Sequence, residues 1–395
     1  MDVRILNLVK GKGIFYTRYA DDLTFSTKLQ KFPDNFLIVS ESLEFALGKK
    51  LKNVIEKSGF IINLNKIRLQ LKQSKQIVTG VVVNKKVNIN REYYKLLRAQ
   101  CHSLFTKGFH IENGIEILRT EYEKLRSLEG KLNFAFYTNN YCQHIYNKSL
   151  KNSNDKFSSF SRLEIKKKNV NNYIKGSSLA IKNLYLLYLY YKNFINIYNT
   201  TILCEGQTDV FYLKLAYKQL MLPKESKYNY VKLDGVLKKY SDFIGGTAKI
   251  KNFIKDYDNY IKKFNLPFNY PIIIIVDRDD AGKDVLTTYK NIYPSCNVLS
   301  QQTYYNGKNN LYLIMLPEFP EKTHVEIEYY LGEDIIENGI NGYKLNLSNK
   351  ETEIGKLGKD RFSKLVKKNK NKINFENFRL IFNQIENVEK NFFKK

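Results

Sequence analysis

The chain has 395 residues, of which 65 are Lys or Arg and 39 are Asp or Glu, so its formal net charge is +26. This length is enough for two or three domains with hydrophobic cores. The basic excess indicates a polyanionic partner, with a generally lysine-rich composition as the alternative. Four scattered cysteines without a Cys-x-x-Cys pair exclude a disulfide framework and a cysteine zinc site, and they are typical of a reducing cytoplasm.

The first predicted element is a β-hairpin around two adjacent carboxylates. Residues 15–26, FYTRYADDLTFS, alternate between two sets of side chains with period two on both sides of the acidic pair. Carboxylates this close repel each other unless a cation compensates them, and Mg²⁺ takes carboxylate and phosphate oxygens. Asp21 and Asp22 therefore predict a metal site for phosphoryl transfer, with an acidic, solvated turn as the alternative.

Three motifs in this region resemble one enzyme family. The YADD box that ends in Asp22 is similar to the Tyr-x-Asp-Asp box of reverse transcriptases. Residues 58–69, SGFIINLNKIRL, look like the next polymerase segment, and residues 76–99 look like a primer-grip hairpin leading into a thumb. The triplet VTG at residues 78–80 resembles one that retron reverse transcriptases use near their structured template RNA. The order of the motifs identifies residues 1–137 as similar to a retron-type reverse transcriptase.

This resemblance implies roles for individual residues. Asp21 and Asp22 would be catalytic metal ligands. Lys66 would stabilise or protonate the leaving pyrophosphate, unless it is an ordinary surface lysine. The residues implied to contact RNA or primer are Tyr19, Val78, Thr79, Gly80, Arg91, Lys95 and Arg98.

A basic segment follows the polymerase-like motifs. Residues 61–100 carry nine basic side chains and a single acid, Glu92, and residues 90–108 predict a basic amphipathic helix. Such a helix can follow a phosphate backbone while Tyr93 and Tyr94 stack on bases. The alternative is a solvated helix face whose tyrosines pack inward.

Helical periodicity also predicts helices over residues 36–60 and 114–137. We therefore expect a partial palm over residues 1–90 and a helical thumb over residues 91–137. Residues 138–199 predict a linker or helical connector that is rich in Asn, Ser and Lys. Its apolar part, residues 178–195, is interrupted by two lysines and is too short for a membrane span, so it predicts a core helix or a helix packed between domains.

A second group of acids begins near residue 200. The apolar strand before Glu205 is followed by an amphipathic helix, and the buried run IIIIV of residues 272–276 is followed by Asp277 and Asp279. A β-branched run of this kind indicates a central strand of a parallel sheet, and ligands bind at the carboxyl ends of such strands. An extended Asp-x-Asp directs both carboxylates to one side, which suits a divalent metal.

These strands resemble a Toprim domain, the fold shared by topoisomerases, primases and some nucleases. The matching residues are Glu205 in CEGQTD and the two aspartates in VDRDDAG. FIGGTAKIKNF (243–253) and VEIEYYL (325–331), with Glu328, also fit. The resemblance implies Mg²⁺, or Mn²⁺, held by Glu205, Asp277, Asp279 and Glu328, with Glu205 as ligand or general acid–base. The alternative is an α/β domain whose acids only cap strand ends.

Together the resemblances imply an α/β and α+β multidomain fold: a partial palm and thumb, then a Rossmann-like Toprim sheet over residues 200–335, then a basic extension over 336–395. The implied function is that of a retron RNA-directed DNA polymerase, which copies a structured template RNA into a branched RNA–DNA hybrid in anti-phage defence. The fused Toprim domain would be a nuclease effector acting on DNA or RNA. The alternatives are a stand-alone Mg²⁺-dependent Toprim nuclease and a non-catalytic RNA-binding remnant.

The resemblance also predicts a missing part. Polymerase chemistry uses two metals held by three carboxylates, and only Asp21 and Asp22 match here. We therefore expect the fingers and a further palm aspartate to belong to a missing N-terminal half, and the isolated chain not to polymerise DNA. Processive primer extension by the purified chain would contradict this expectation.

Overall fold

Two units make up the chain in this computed structural model: residues 1–96 with 131–181 (unit 1), and residues 97–130 with 182–395 (unit 2). The structure describes residues 1–40, 44–84, 87–151, 179–221, 227–231, 246–296, 304–319, 322–346 and 355–394, with the backbone alone at 141–151, 179 and 221. In these ranges, every helix is too short or too polar to cross a membrane.

Unit 1 begins with two helices and two hairpins. These elements are α1 (Asp2–Val9), β1 (Ile14–Tyr19), β2 (Asp22–Thr27), β3 (Leu37–Val39), β4 (Phe45–Leu47) and α2 (Lys49–Glu56). β1 pairs antiparallel with β2, and β3 with β4. Their apolar sides form one core, which contains Ile5, Val9, Ile14, Phe36, Leu51 and Ile55. The predicted acidic hairpin is confirmed, and its base is fixed in this core through Ile14.

The rest of unit 1 consists of short strands and parts of two long helices. A 3₁₀ turn (Leu64–Lys66) precedes the small hairpin of β5 (Ile77–Val78) and β6 (Val81–Val82). α3 (Arg91–Lys107) and α4 (Tyr122–Lys151) each have residues in both units. The predicted basic helix over residues 90–108 is confirmed. Residues 152–178 of the predicted connector lie outside the described residues.

Two predicted helices are shorter than expected because hairpins take part of each range. The range 36–60 contains β3 and β4 before α2 begins. The range 114–137 begins inside the hairpin of β7 (Phe109–Glu112) and β8 (Ile115–Leu118), and helix α4 starts only at Tyr122. Asn113 and Gly114 turn this hairpin with φ of 52° and 80°. An Asn-Gly turn favours a tight hairpin over a continuing helix.

The β7–β8 hairpin belongs to unit 2, as does most of helix α5 (Leu179–Tyr190). This helix continues into a wider turn (Tyr191–Ile195) whose aromatic side chains are buried. Phe105 on α3 packs against Tyr191 and Phe264, with ring centroids 5.1 Å apart in both pairs. The described part of the predicted range, residues 179–195, is therefore helical and packs into a core, as its composition predicts.

A five-stranded sheet organises the larger part of unit 2, in the order β10-β9-β11-β13-β12. The strands are β9 (Thr201–Cys204), β10 (Asn229–Tyr230), β11 (Ile272–Val276), β12 (Tyr304–Asn306) and β13 (Leu311–Met315). β10, β9, β11 and β13 are parallel, and only the edge strand β12 is antiparallel. All five residues of β11 are buried, as expected for the central strand of a parallel sheet.

The helices of this sheet alternate with its strands. They are α6 (Gln207–Met221), α7 (Thr247–Ile261) and α8 (Asp280–Ile292), followed by a 3₁₀ turn (Ile327–Leu331) and α9 (Glu333–Asn338). Alternation of strands and helices is the pattern that gives parallel sheets with helices on their faces. The mixed α/β class expected from the sequence is compatible with this architecture.

The C-terminal residues, which we expected to form a basic extension, contribute to the same core. They form β14 (Lys344–Asn346), β15 (Lys356–Gly358), α10 (Lys359–Lys368) and α11 (Arg379–Phe393). Phe362 on α10 and Phe382 on α11 are fully buried and belong to the hydrophobic cluster that contains strands β9, β11 and β13. The domain border predicted at residue 335 stays a prediction, but the apolar faces of α10 and α11 fold with the sheet.

Candidate functional sites

The first candidate site is the tip of the β1–β2 hairpin. Tyr19 pairs with Asp22 across the strands, and Ala20 and Asp21 form the turn, with Ala20 at a φ of 50°. This left-handed conformation is unusual for alanine. Tyr19 is 70% exposed and both aspartates are exposed. The two carboxylates are thus held side by side at a solvent-facing tip, open to ions and substrates.

Arg18, the cation nearest to this tip in the sequence, pairs with Asp2 and not with the two aspartates of the tip. A guanidinium nitrogen of Arg18 lies 3.3 Å from Oδ2 of Asp2, and the hydroxyl of Tyr16 donates to Oδ1 of Asp2 at 2.7 Å. Within the described residues, Lys66 makes no ion pair with the aspartate pair and lies exposed on its 3₁₀ turn. In the part of the chain that the structure describes, the pair therefore has no cationic side chain as a partner, and Lys66 does not contact it.

The other predicted nucleic-acid residues lie on exposed elements. Thr79 and Gly80 form the turn of the β5–β6 hairpin, with φ of 48° and 83°. Arg91, Lys95 and Arg98 follow one another at helical spacing on α3 and are all exposed. Spacings of four and three residues put side chains on one helix face. The structure thus has a basic face on α3.

Tyr93 on α3 is not placed to stack on bases, which was one role considered above for this residue. The ring of Tyr93 packs edge-on against Phe134 of α4, with centroids 6.2 Å apart. Nζ of Lys75 lies 3.2 Å from Oε2 of Glu92, so the single acid of this segment is paired. Tyr93 therefore packs inward, while the basic residues stay accessible.

The second candidate site lies at the carboxyl ends of β9 and β11. Ile275 is opposite Cys204 in the parallel register, so Glu205 and Asp277 follow neighbouring strands. The backbone N–H of Arg278 donates to the carbonyl of Val325 at 2.8 Å, and the reverse bond is 2.9 Å long. This two-way bridge brings the segment that carries Glu326 and Glu328 to the same edge of the sheet.

A group of charges occupies this edge, with Glu328 buried and the others partly buried, and we call it the acidic centre. Burial, followed by the nearby charges of Asp209 and Glu328, raises the pKa of Asp277 to about 9. Burial also raises the pKa of Glu328 to about 7, against the lowering effect of Lys359. The members of the acidic centre are Asp209, Asp277, Glu326, Glu328 and Lys359.

Lys359, the first residue of α10, is the cation of the acidic centre. Its Nζ lies 3.1 Å from Oε2 of Glu326 and 3.4 Å from Oε2 of Glu328. Burial lowers the pKa of Lys359, but the two glutamates raise it more, so the net shift is upward. The lysine is therefore charged and partly compensates the carboxylates.

Two oxygens near this centre lack partners in the described structure. Oε1 of Glu328 is buried without a hydrogen bond, and so is the hydroxyl of Tyr212 on α6. Both side chains are fully buried. A buried oxygen without a partner is costly, so the acidic centre is short of one positive or donating group.

The structure separates the four predicted ligands. Asp277 and Glu328 lie in the acidic centre, whereas Oε1 of Glu205 accepts a hydrogen bond from Thr247 at 2.6 Å. Asp279 caps α8 by accepting from the backbone N–H of Gly282 at 2.7 Å. As the side chains stand, no group of three His, Cys, Asp or Glu residues in the described ranges is arranged to hold a metal ion. The donor chemistry nevertheless fits a hard cation, because the unpaired Glu328 oxygen is a free carboxylate ligand atom.

Sequence reasoning did not assign Asp209, Glu326 or Lys359 to this site. The sequence could have assigned Asp209 to the site, because this residue follows Glu205 by four positions and lies in the first turn of a predicted helix. No sequence pattern assigns Lys359 to the site, because its position depends on how the C-terminal helices pack.

The raised pKa of Asp277 makes the stability of unit 2 depend on pH. Its folded value of about 9 lies above the ordinary 3.8, so between these values the folded state binds more protons than the unfolded state. The stabilisation is complete below about pH 4 and is lost as the pH rises through about 9, by at most about 1.4 kcal/mol per pH unit.

We therefore expect Asp277→Asn to weaken the fall in stability between pH 6 and 8.5, measured by urea unfolding with EDTA present. Asp279→Asn is the matched control, because Asn also caps helices well. An unchanged pH slope in the Asp277 variant would contradict the assigned shift.

Comparison with known proteins finds similarity to retron reverse transcriptases over part of the chain. A stretch of 115 residues, 29% of this chain, is 37% identical to the retron Ec86 reverse transcriptase of Escherichia coli and covers 32% of it. Stretches of 109 and 102 residues, each 26% of the chain, are 35% identical to the retron Mx162 and Mx65 reverse transcriptases of Myxococcus xanthus and cover 22% and 21% of them. The chain thus spans about a fifth to a third of the length of these relatives. No family model and no solved structure matches the chain.

Proposed function

We propose that this chain takes part in RNA-directed DNA synthesis of the retron type. The observation that carries the proposal is the exposed, adjacent pair of Asp21 and Asp22 at a hairpin tip, in a chain partly similar to retron reverse transcriptases. In this role the pair holds Mg²⁺, or Mn²⁺, which supplies the Lewis acid for nucleotidyl transfer. The exposed tip leaves both carboxylates accessible to a primer end.

Other residues of the reverse-transcriptase-like segment have binding roles in this proposal. The basic face of α3, with Arg91, Lys95 and Arg98, attracts the phosphates of template and primer. The turn of Thr79 and Gly80 contacts a structured template RNA, and Lys66 approaches the leaving pyrophosphate when substrate binds. The test is the yield of RNA–DNA hybrid in cells that carry the gene with its flanking DNA. A role in anti-phage defence is part of the proposal and predicts that loss of the hybrid restores phage plating.

A second activity is supported by the acidic centre of unit 2. Carboxylates at the carboxyl edge of a parallel sheet, with raised pKa values and an unpaired oxygen, are typical of functional sites. We propose that Asp277 and Glu328 hold a divalent metal in a Toprim-like nuclease that cleaves DNA or RNA, with Asp209, and with Glu205 at the end of the neighbouring strand, as further ligands or as a base. Lys359 neutralises the glutamates and offers a cation to the scissile phosphate.

For this activity we expect Asp277→Asn and Glu328→Gln each to lower Mg²⁺-dependent cleavage at least about a hundredfold. The purified chain is incubated with labelled single- and double-stranded DNA and RNA, with Mg²⁺ or with EDTA. Asp256→Asn, on the exposed face of α7, is the control and should cleave normally. Cleavage that survives both Glu205→Ala and Asp277→Ala would contradict the nuclease assignment.

A further inference from the structure

A cavity between α1 and α2 in unit 1 has a strongly basic lining. Its volume is about 600 Å³, and its lining residues are Arg4, Leu8, Lys50, Asn53, Val54 and Lys57. The volume is in the range of small-ligand sites. The two helices share the core of unit 1, in which Ile5 of α1 and Leu51 of α2 are both buried. The cavity is therefore framed by two helices that the core holds together.

Among the described residues, no acid forms an ion pair with the lysines of this cavity. Three of its six lining residues are cations and none is an acid. Within the described residues, Lys50 and Lys57 form no ion pair. The nearest acids in sequence are engaged elsewhere: Glu56 lies 3.9 Å from Lys52, and Asp2 pairs with Arg18. The cavity thus presents a local excess of positive charge.

The guanidinium of Arg4 is held in place at the edge of the cavity. Its NH1 donates a hydrogen bond of 2.8 Å to the backbone carbonyl of Lys57, just after the end of α2. This bond uses one of five N–H donors, so the others remain for a ligand. Arginine in a fixed orientation is well suited to bind phosphate oxygens.

Two apolar side chains complete the lining. Leu8 on α1 and Val54 on α2 are half-buried, whereas Arg4, Lys50 and Lys57 are exposed. A concave surface with low-dielectric walls and charges of one sign concentrates the electrostatic potential and attracts the opposite charge. A sugar or base edge can lie against the apolar side chains while the cations contact its phosphates.

From these observations we propose that the cavity lined by Arg4, Lys50 and Lys57 binds the phosphodiester backbone of single-stranded nucleic acid. It is a contact surface separate from the carboxylate hairpin and from the basic face of α3. The identity of the polyanion as nucleic acid rests on the proposed function of unit 1. The three cations are expected to contact about three phosphates, which gives a defined dependence of affinity on salt.

The test compares two triple variants with equal changes in charge. The cavity variant is Arg4→Gln, Lys50→Gln and Lys57→Gln, and the control is Lys31→Gln, Lys52→Gln and Lys72→Gln, all exposed and outside the cavity. Binding of the full chain to a fluorescein-labelled 20-nucleotide RNA, and to DNA of the same sequence, is measured by anisotropy between 50 and 300 mM NaCl. Sodium pyrophosphate serves as the competitor that distinguishes free phosphate from a strand.

We expect the cavity variant to bind at least about tenfold more weakly at 100 mM NaCl, with a salt slope about 2 units shallower, while the control changes affinity less than threefold. The double variant Lys50→Gln and Lys57→Gln keeps the Arg4 bond. Its salt slope should decrease by about two-thirds of the decrease expected for the triple cavity variant. Equal weakening in cavity and control variants would overturn the proposal, as would unchanged binding in the cavity variant. Displacement by equimolar pyrophosphate would also overturn it, in favour of a free-phosphate site.

Failure of this site and failure of DNA synthesis are separable. The anisotropy assay measures binding of a short strand by the purified chain and involves no DNA synthesis, so its result does not depend on whether hybrid is made in cells. If hybrid is absent but the cavity variant still shows selective weakening, the proposed function fails and the cavity proposal stands. If hybrid is made and both triple variants bind alike, the cavity proposal fails alone.

Discussion

Asp21→Asn or Asp22→Asn is expected to lower the yield of RNA–DNA hybrid at least about a thousandfold. Asn keeps the size of the side chain but removes the negative charge that binds a hard divalent cation. Without that cation, the charge that develops during nucleotidyl transfer is not stabilised, and losses of this order follow. The hybrid is measured by gel electrophoresis of nucleic acid from cells that carry the gene with its flanking DNA.

The control is Asp34→Asn, which makes the same change in charge at another exposed position of unit 1 and should leave the yield unchanged. Each variant is quantified by immunoblotting, so that loss of protein is not mistaken for loss of activity. Normal hybrid levels in both hairpin variants would show that the carboxylate pair is only a solvated turn. A hybrid absent from the unaltered cells would refute the proposed synthesis itself.

Gly282→Ala is expected to destabilise unit 2 by about 3 kcal/mol. A Cβ at Gly282 would lie 1.9 Å from the carbonyl oxygen of Asp277, which is backbone and cannot rotate away. The first turn of α8 would have to move from the end of β11, and Asp277 with it. Nuclease activity should therefore fall together with stability.

The matched substitution is Gly130→Ala in α4, where an added Cβ meets no atom within 4 Å. Alanine is the better helix former, so this variant should gain about 0.5–1 kcal/mol. Thermal and urea unfolding of both variants, followed by circular dichroism, give the comparison. If Gly282→Ala unfolds like the unaltered chain, the close approach of α8 to β11 is wrong.

Local patterns in the sequence were sufficient for several elements. Period-two alternation located the hairpin of residues 15–26, and the apolar run IIIIV located the buried strand Ile272–Val276. Both patterns are local, because the alternation of a half-buried strand and the continuous apolar run of a fully buried strand are visible within a few consecutive residues. The Asn113-Gly114 turn also had a local signal, which the helix predicted over residues 114–137 did not take into account.

The composition of the acidic centre was decided by the tertiary structure. The sequence identified Asp277 and Glu328 through their strand-end and motif positions. It could not show that Glu205 bonds to Thr247, that Asp279 is used as a helix cap, or that Lys359 meets the glutamates. These pairings depend on the bridge between Arg278 and Val325 and on the packing of α10.

The residues alone were therefore enough to indicate the two acidic motifs, the partial similarity to retron reverse transcriptases and the parallel-strand character of β11. The grouping of charges depends on packing: Lys359 pairs with Glu326 and Glu328 in unit 2, and Arg4, Lys50 and Lys57 line one cavity in unit 1. The two kinds of information differ in range along the chain. Periodicity reports the two faces of one element, whereas the environment of a charge is set by elements that are distant in the chain and are brought together by burial of apolar surface.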